Sequence, residues 1–232
     1  MLESEAAKYQ AAAEKGDADA ASKLAVAYDT GEGVVKDYMK AAEWYIKAAE
    51  AVLQNFMDEM HAEYNASTDE KRRSVLRDLF DMPEKSPDMW NLNNICYYMD
   101  AKDKGQVRSL KFMDNIRRAF ICYFKASEEN NDPVAKYKLA QFFISGELIE
   151  RSYCSAANLL EDAAKKGVPE AMCLLGVMYG QGLGVRKNKD LSVYLLNKAK
   201  EAGCEEAKYL NDHVNGGTWG VVKSYFARRL FY

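Results

Sequence analysis

Residues 167–203 read GVPEAMCLLGVMYGQGLGVRKNKDLSVYLLNKAKEAG, and this stretch decides the fold. Leu175-Gly176, Tyr179, Gly182, Gly184-Val185 and Ala199 form its skeleton. At a shift of 151 they meet Leu24-Ala25, Tyr28, Gly31, Gly33-Val34 and Ala48. At a shift of 36 they meet Leu139-Ala140, Phe143, Gly146, Leu148-Ile149 and Ala163. A period of this length with two helical patterns per period is the signature of stacked helical hairpins.

Each part of the skeleton has a physical reason. Leu175, Gly176 and Tyr179 fall on one face of a 3.6-residue period, and the small residue beside the leucine lets a neighbouring helix come close. Gly182 and Gly184 supply the backbone freedom of a turn, because inside a helix each would cost about 1 kcal/mol relative to alanine. Ala41, Tyr45 and Ala48 share one face of the second helix. Gly167 and Gly203 are expected to close second helices as C-caps. Neither helix of a hairpin can bury its apolar face alone, so each copy needs a stacked neighbour.

LAVAYDTGEGVVKDYMKAAEWYIKAAE at 24–50 and LGVMYGQGLGVRKNKDLSVYLLNKAKEAG at 175–203 together resemble the Sel1-like repeat, a relative of the tetratricopeptide repeat. The resemblance covers about three-fifths of the chain. It implies an all-α, right-handed α-solenoid of helical hairpins. Some Sel1-like families pair two cysteines within each hairpin. The cysteines here, at 96, 122, 154, 173 and 204, show no such pairing, so that property does not transfer. Scattered and odd in number, they are expected to act as small apolar residues in helix interfaces of a protein from a reducing compartment.

In chain order, residues 1–15 match the second helix of a hairpin, with Tyr9, Ala12 and Ala13 placed 36 before Tyr45, Ala48 and Ala49. Residues 16–51 form the first full copy. Residues 52–85 depart from the period: the helix continues through Leu53, Phe56, Met57, Met60 and Tyr64, then breaks at 65–69. Ser67 or Thr68 is expected to cap a further helix with an apolar face of Val75, Leu76, Leu79 and Phe80. Pro83 and Pro87 bracket a loop. Residues 86–128 are a degenerate copy whose turn, 101–115, is enlarged. Residues 129–166 and 167–203 are regular copies, 204–212 begin another first helix, and 213–232 form a C-terminal capping helix or an amphipathic segment for a partner.

Little in the composition points to chemistry. The net charge of −3 gives no nucleic-acid footprint, and no run of 18 apolar residues marks a membrane span. MLESEAAKYQ lacks the features of a signal peptide, so a cytoplasmic location is expected, or a periplasmic one if a leader has been removed. His61 and His213 lack metal-site spacing. Gly180-Gln-Gly182-Leu-Gly184 follows no strand and is a repeat turn, not a phosphate loop. No nucleophile motif occurs, so no enzyme, no cofactor and no metal are expected.

The function implied is a non-catalytic adaptor that binds a protein or peptide on the concave face. By analogy with the tetratricopeptide repeat, Leu24, Ala25 and Tyr28 pack, and the positions between them face a groove. These are Asp19, Ser22 and Val26 in the first copy, Val134, Tyr137 and Gln141 in the third, and Glu170, Cys173 and Val177 in the fourth. Tyr137 is the preferred anchor, since a rigid aromatic with a polar tip suits a binding hot spot. Trp90, Tyr97 and Tyr98 form a second patch. The resemblance also admits a bacterial immunity protein that occludes a toxin, with the irregular stretch 52–112 as its occluding surface.

Overall fold

The computed structural model describes residues 2–85, 92–103, 105–207 and 210, with side chains described within 5–81, 92–103, 105–207 and at 210. Ten helices are described: α1 Leu2–Ala13, α2 Ala18–Thr30, α3 Tyr38–Ala66, α4 Glu70–Lys85, α5 Leu92–Lys102, α6 Val107–Glu129, α7 Pro133–Ser145, α8 Tyr153–Lys165, α9 Pro169–Gln181 and α10 Lys189–Glu201. No strand occurs among the described residues. The chain divides into two compact units at Cys122/Tyr123, within α6. The segment expected to cap the C-terminus, 213–232, lies outside the described residues.

The hairpins α2/α3, α7/α8 and α9/α10 share one construction. The first helix ends on Gly31, Gly146 or Gly182, each left-handed at φ 82°, 68° and 78°. The second helix starts from Asp37, Ser152 or Asn188, whose side chain accepts the N–H three residues on. These are the Asp, Ser and Asn caps that satisfy orphan helix donors. The same three residues donate their own N–H to the carbonyls of Tyr28, Phe143 and Tyr179, at 2.9, 3.0 and 2.9 Å. The aromatic of the first helix and the cap of the second are thus tied together once per hairpin. Between hairpins the chain returns through Gly16, Gly167 and Gly203 at φ 90–94°, and through Asn131 at φ 50°. Asparagine is the side chain that best tolerates this region, which explains the one return without glycine.

Small residues set the hairpin spacing. Ala41, Ala156 and Ser192 stand at one register position in α3, α8 and α10, and all have 0% exposure. The Ser192 hydroxyl is buried and has no hydrogen-bond partner among the described residues. Alanine serves in the other copies, so Ser192→Ala is expected to keep or raise stability, by up to about 1 kcal/mol, in a denaturant melt. In α1 the same position is Glu5, and Lys8 stands where Trp44, Leu159 and Leu195 lie, which gives α1 a charged outer face.

In the unit ending at Cys122, α3 runs past the end of its repeat to Ala66 and buries Leu53, Phe56 and Met60. The cap of α4 is Asp69, whose carboxylate accepts from Lys71 and Arg72, rather than Ser67 or Thr68. Ser67 instead accepts from the Asp69 N–H, one step earlier in the break. Leu76 and Leu79 of α4 are buried as expected, whereas Val75 is 53% exposed and turns to solvent. The helix continues through Pro83 to Lys85, so Pro83 does not begin the loop; Pro87 lies outside the described residues. His61 stacks flat on Phe80, with ring centroids 3.9 Å apart, and Tyr64 meets the same ring edge-on.

Glu63 binds this insertion together. Its carboxylate accepts from Arg72 of α4 and Lys102 of α5. The hydrogen bond from Arg72, then that from Lys102, lowers its pKa from 4.5 to about 2. A depressed carboxylate contributes stability that is fully present above the unfolded value and lost as pH falls through the folded one. Glu63→Gln is therefore expected to lower the denaturant midpoint at neutral pH. That deficit should close as pH falls from 4.5 towards 2.

The stretch 101–115 is not an enlarged turn. Only Asp103–Gln106 separates α5 from α6, and 107–115 is helix. Phe112, Ile116, Ala119, Tyr123 and Ala126 recur every three or four residues and are all at most 4% exposed. That apolar stripe, with no glycine or proline from 107 to 129, carries the helix through the expected loop.

Candidate docking surface

At the repeat shift of 78, Val107–Asp114 stands where Asp29–Lys36 ends α2 and forms the turn of the first hairpin. Asn115 then occupies the register of the capping residues Asp37, Ser152 and Asn188. With helix on both sides, it has no helix start to cap. Its Oδ1 accepts instead from the Ser22 hydroxyl of α2 at 2.9 Å, and its Nδ2 donates to the Lys111 carbonyl at 3.0 Å. Replacing a turn by two helical turns thus lays the first half of α6 beside α2 and α3.

A furrow results, entirely within the first unit. Asp19, Ser22, Lys23 and Val26, at helical spacing on α2, form one wall. Lys111, Asp114, Asn115 and Arg118 of α6 form the other, with Tyr45 and Val52 of α3 also lining it. This cavity holds about 250 Å³. It shares Asp19, Val52 and Lys111 with a second of about 490 Å³ reaching Glu59 and Val107. A third, of about 290 Å³, shares Lys23 and Val26 and runs between α1 and α2 past Tyr9.

Ion pairs bridge the walls. Lys111 lies 3.0 Å from Asp19, and Arg108 lies 2.9 Å from Glu59 and 3.0 Å from Asp103. Burial raises the Tyr45 phenol above its ordinary pKa, and a hydrogen bond donated by Arg118 offsets part of that. The Arg118 guanidinium is held above its ordinary value mainly by Asp114, then by Tyr45. The exposed pairs Lys111–Asp19 and Arg118–Asp114 add little stability to the fold by themselves.

The other expected groove positions are placed differently. Ser22 is half-buried, and Val26 is 39% exposed in the furrow. Tyr137 is 6% exposed, packed in the core of α7 to α9, and its hydroxyl accepts from the Gln141 amide at 3.0 Å. Gln141 is itself buried. Cys173 and Val177 pack against Leu196, Ala199, Cys204, Ala207 and Leu210, so the helix start after α10 covers the face they were expected to present. These four side chains are taken up by packing. Glu170 is half-buried and Val134 is 41% exposed. Tyr97 is 68% exposed and meets Tyr98 edge-on, with centroids 5.6 Å apart, while Trp90 lies outside the described residues.

Nothing among the described residues assembles a metal cluster. Cys122, Cys173 and Cys204 are buried as expected, whereas Cys154 is exposed and Cys96 half-buried, its thiol pushed up to about 11 by burial. No described helix is long and apolar enough to cross a membrane.

A family model for the Sel1 repeat matches residues 18–52, 97–131, 133–168 and 169–204, more than half of the chain. The chain belongs to the Sel1 repeat family. Sel1 repeats are in general protein–protein interaction modules, and the family is typically a non-catalytic scaffold. An uncharacterized protein of Neisseria meningitidis serogroup B is 29% identical over 113 residues, which is 47% of this Sel1 chain and 24% of that protein. The chain thus spans about a quarter of the curated relative it matches. Among solved structures, a Sel1 repeat protein from Oxalobacter formigenes is 18% identical, at a TM-score of 0.35, covering 88% of this chain and 95% of its own. A protective antigen of uropathogenic Escherichia coli with an SLR fold is 18% identical, at 0.41, covering 97% and 55%. A putative Sel1 repeat protein from Klebsiella pneumoniae is 17% identical, at 0.30, covering 90% and 99%.

The α6 extension is the element that the repeat period conceals. Its signal was present in VRSLKFMDNIRRAF, which holds no helix breaker and keeps its apolar spacing.

Proposed function

We propose that this Sel1 repeat protein is a non-catalytic interaction module that docks a protein segment in the furrow between α2 and the first half of α6. The observation carrying this reading is the conversion of a repeat turn into helix at Ser109–Asp114. It turns one regular hairpin face into a walled furrow, and the wall is built from Asp19, Ser22 and Val26, the positions that face outward from the packing side of α2. Tyr97 and Tyr98 remain a second accessible surface on α5.

Affinity capture with the intact chain and with Val26→Asp tests it. Val26 is partly exposed, so the variant should fold, with an unchanged helical signal and melting temperature. A partner held by the native chain is expected to bind the variant about tenfold or more weakly, the loss typical of a furrow hot spot. A partner retained equally by both overturns the furrow assignment.

A further inference from the structure

The furrow's charge says what kind of segment it takes. Seven carboxylates and four cations line the three joined cavities. Arg108, Lys111 and Arg118 are each already paired with a carboxylate of the lining, and Lys23 lies over the Tyr9 ring, 5.5 Å from its centroid. Among the described residues, Glu5, Asp17 and Glu32 have no cationic partner. Asp17 is partly engaged as the cap of α2. Val26 and Val107 are the exposed large apolar side chains of the lining, at 39% and 60%, beside the more buried Tyr45 and Val52.

We infer that the partner segment is basic and apolar: lysine or arginine side chains that meet the uncompensated carboxylates, flanking aliphatic residues that cover Val26 and Val107. This rests on the furrow being the docking surface. Lys23, over the Tyr9 ring, is the one lining cation without a carboxylate among the described residues; beyond it an acidic segment would have to displace Asp19, Glu59 or Asp114 from their cations, and would leave carboxylates facing carboxylates. A basic segment adds cations where the lining lacks them and need break no pair. Complementarity of this kind acts first on encounter rate and on discrimination between partners.

The test uses the full chain and two fluorescein-labelled peptides of equal length with the same leucine and valine core. One is flanked by lysines and the other by glutamates. Binding is read by fluorescence anisotropy at roughly 50 mM and roughly 500 mM salt. The lysine peptide is expected to bind at least about fivefold more tightly than the glutamate peptide, with the preference shrinking at high salt. The variant combining Glu5→Gln and Glu32→Gln removes two exposed charges and is expected to weaken the lysine peptide about threefold. Equal or tighter binding of the glutamate peptide overturns the inference, as does an unchanged lysine-peptide affinity in the double variant. If Val26→Asp still abolishes partner capture in that case, the furrow stands and only its charge preference falls. If Val26→Asp is also silent, both fall.

Discussion

Gly184→Ala is expected to unfold the hairpin α9/α10 from its neighbour, at a cost of about 4 kcal/mol or more. A methyl group at Gly184 would sit 2.2 Å from the Tyr153 carbonyl carbon and 2.6 Å from the Cys154 nitrogen. Both are backbone atoms at the start of α8 and cannot rotate away. The left-handed backbone, at φ 66°, adds a further cost of about 1–2 kcal/mol for any side chain. Neighbouring glycines give the controls. Gly203 is left-handed too, yet a methyl there meets nothing within 4 Å, so Gly203→Ala should cost only the backbone term. Gly176→Ala would press on the Leu196 side chain at 3.0 Å and on the Ser192 carbonyl at 3.2 Å. Alanine is accepted at that register as Ala25 and Ala140, so a modest loss of about 1–2 kcal/mol is expected. Hydrogen exchange in α8 to α10 checks the ranking. Equal effects at Gly184 and Gly203 would show that close approach, as opposed to backbone conformation, is not what the G-x-G turn provides.

That ranking separates what the sequence makes legible from what it hides. The recurrence of Leu24, Leu139 and Leu175, each followed by a small residue and an aromatic, is local information, and the hairpins follow from it. The capping residues Asp37, Ser152 and Asn188 are equally local. Asp19, Ser22 and Val26 are legible as one helix face because Leu24, Ala25 and Tyr28 account for the other. The same argument places Cys173 and Val177 outward, and there it fails. What covers a helix face depends on the next helix in space, and only the packing of Cys204, Ala207 and Leu210 shows that this face is taken. Tyr137 fails for a related reason: its polar tip suggests a surface role, but Gln141 supplies a hydrogen-bond partner inside the packing. The extension of α6 was hidden differently. The period expects a turn at that register, against the direct helical pattern of Phe112, Ile116 and Ala119.

Phe112→Ala is expected to destabilise the first unit by about 3–5 kcal/mol, the cost of emptying a fully buried aromatic site. Were 101–115 a loop, the same change would be nearly silent. Leu110, two residues away and 60% exposed, is the internal control, and Leu110→Ala should stay within about 0.5 kcal/mol. Denaturant unfolding of the two variants measures the contrast. The consequence extends to binding. Phe112 is not among the residues lining the furrow, but it anchors the helix that presents Lys111 and Asn115 to α2 and Arg108 to α3. A weakened anchor lets the first turns of α6 fray, and the Ser22–Asn115 hydrogen bond that registers the two walls goes with them. Phe112→Ala should therefore lower partner affinity without removing any contact atom, while Leu110→Ala leaves it unchanged. Loss of stability in Phe112→Ala with full partner affinity would mean that the partner reads α2 alone and that the α6 wall is structural.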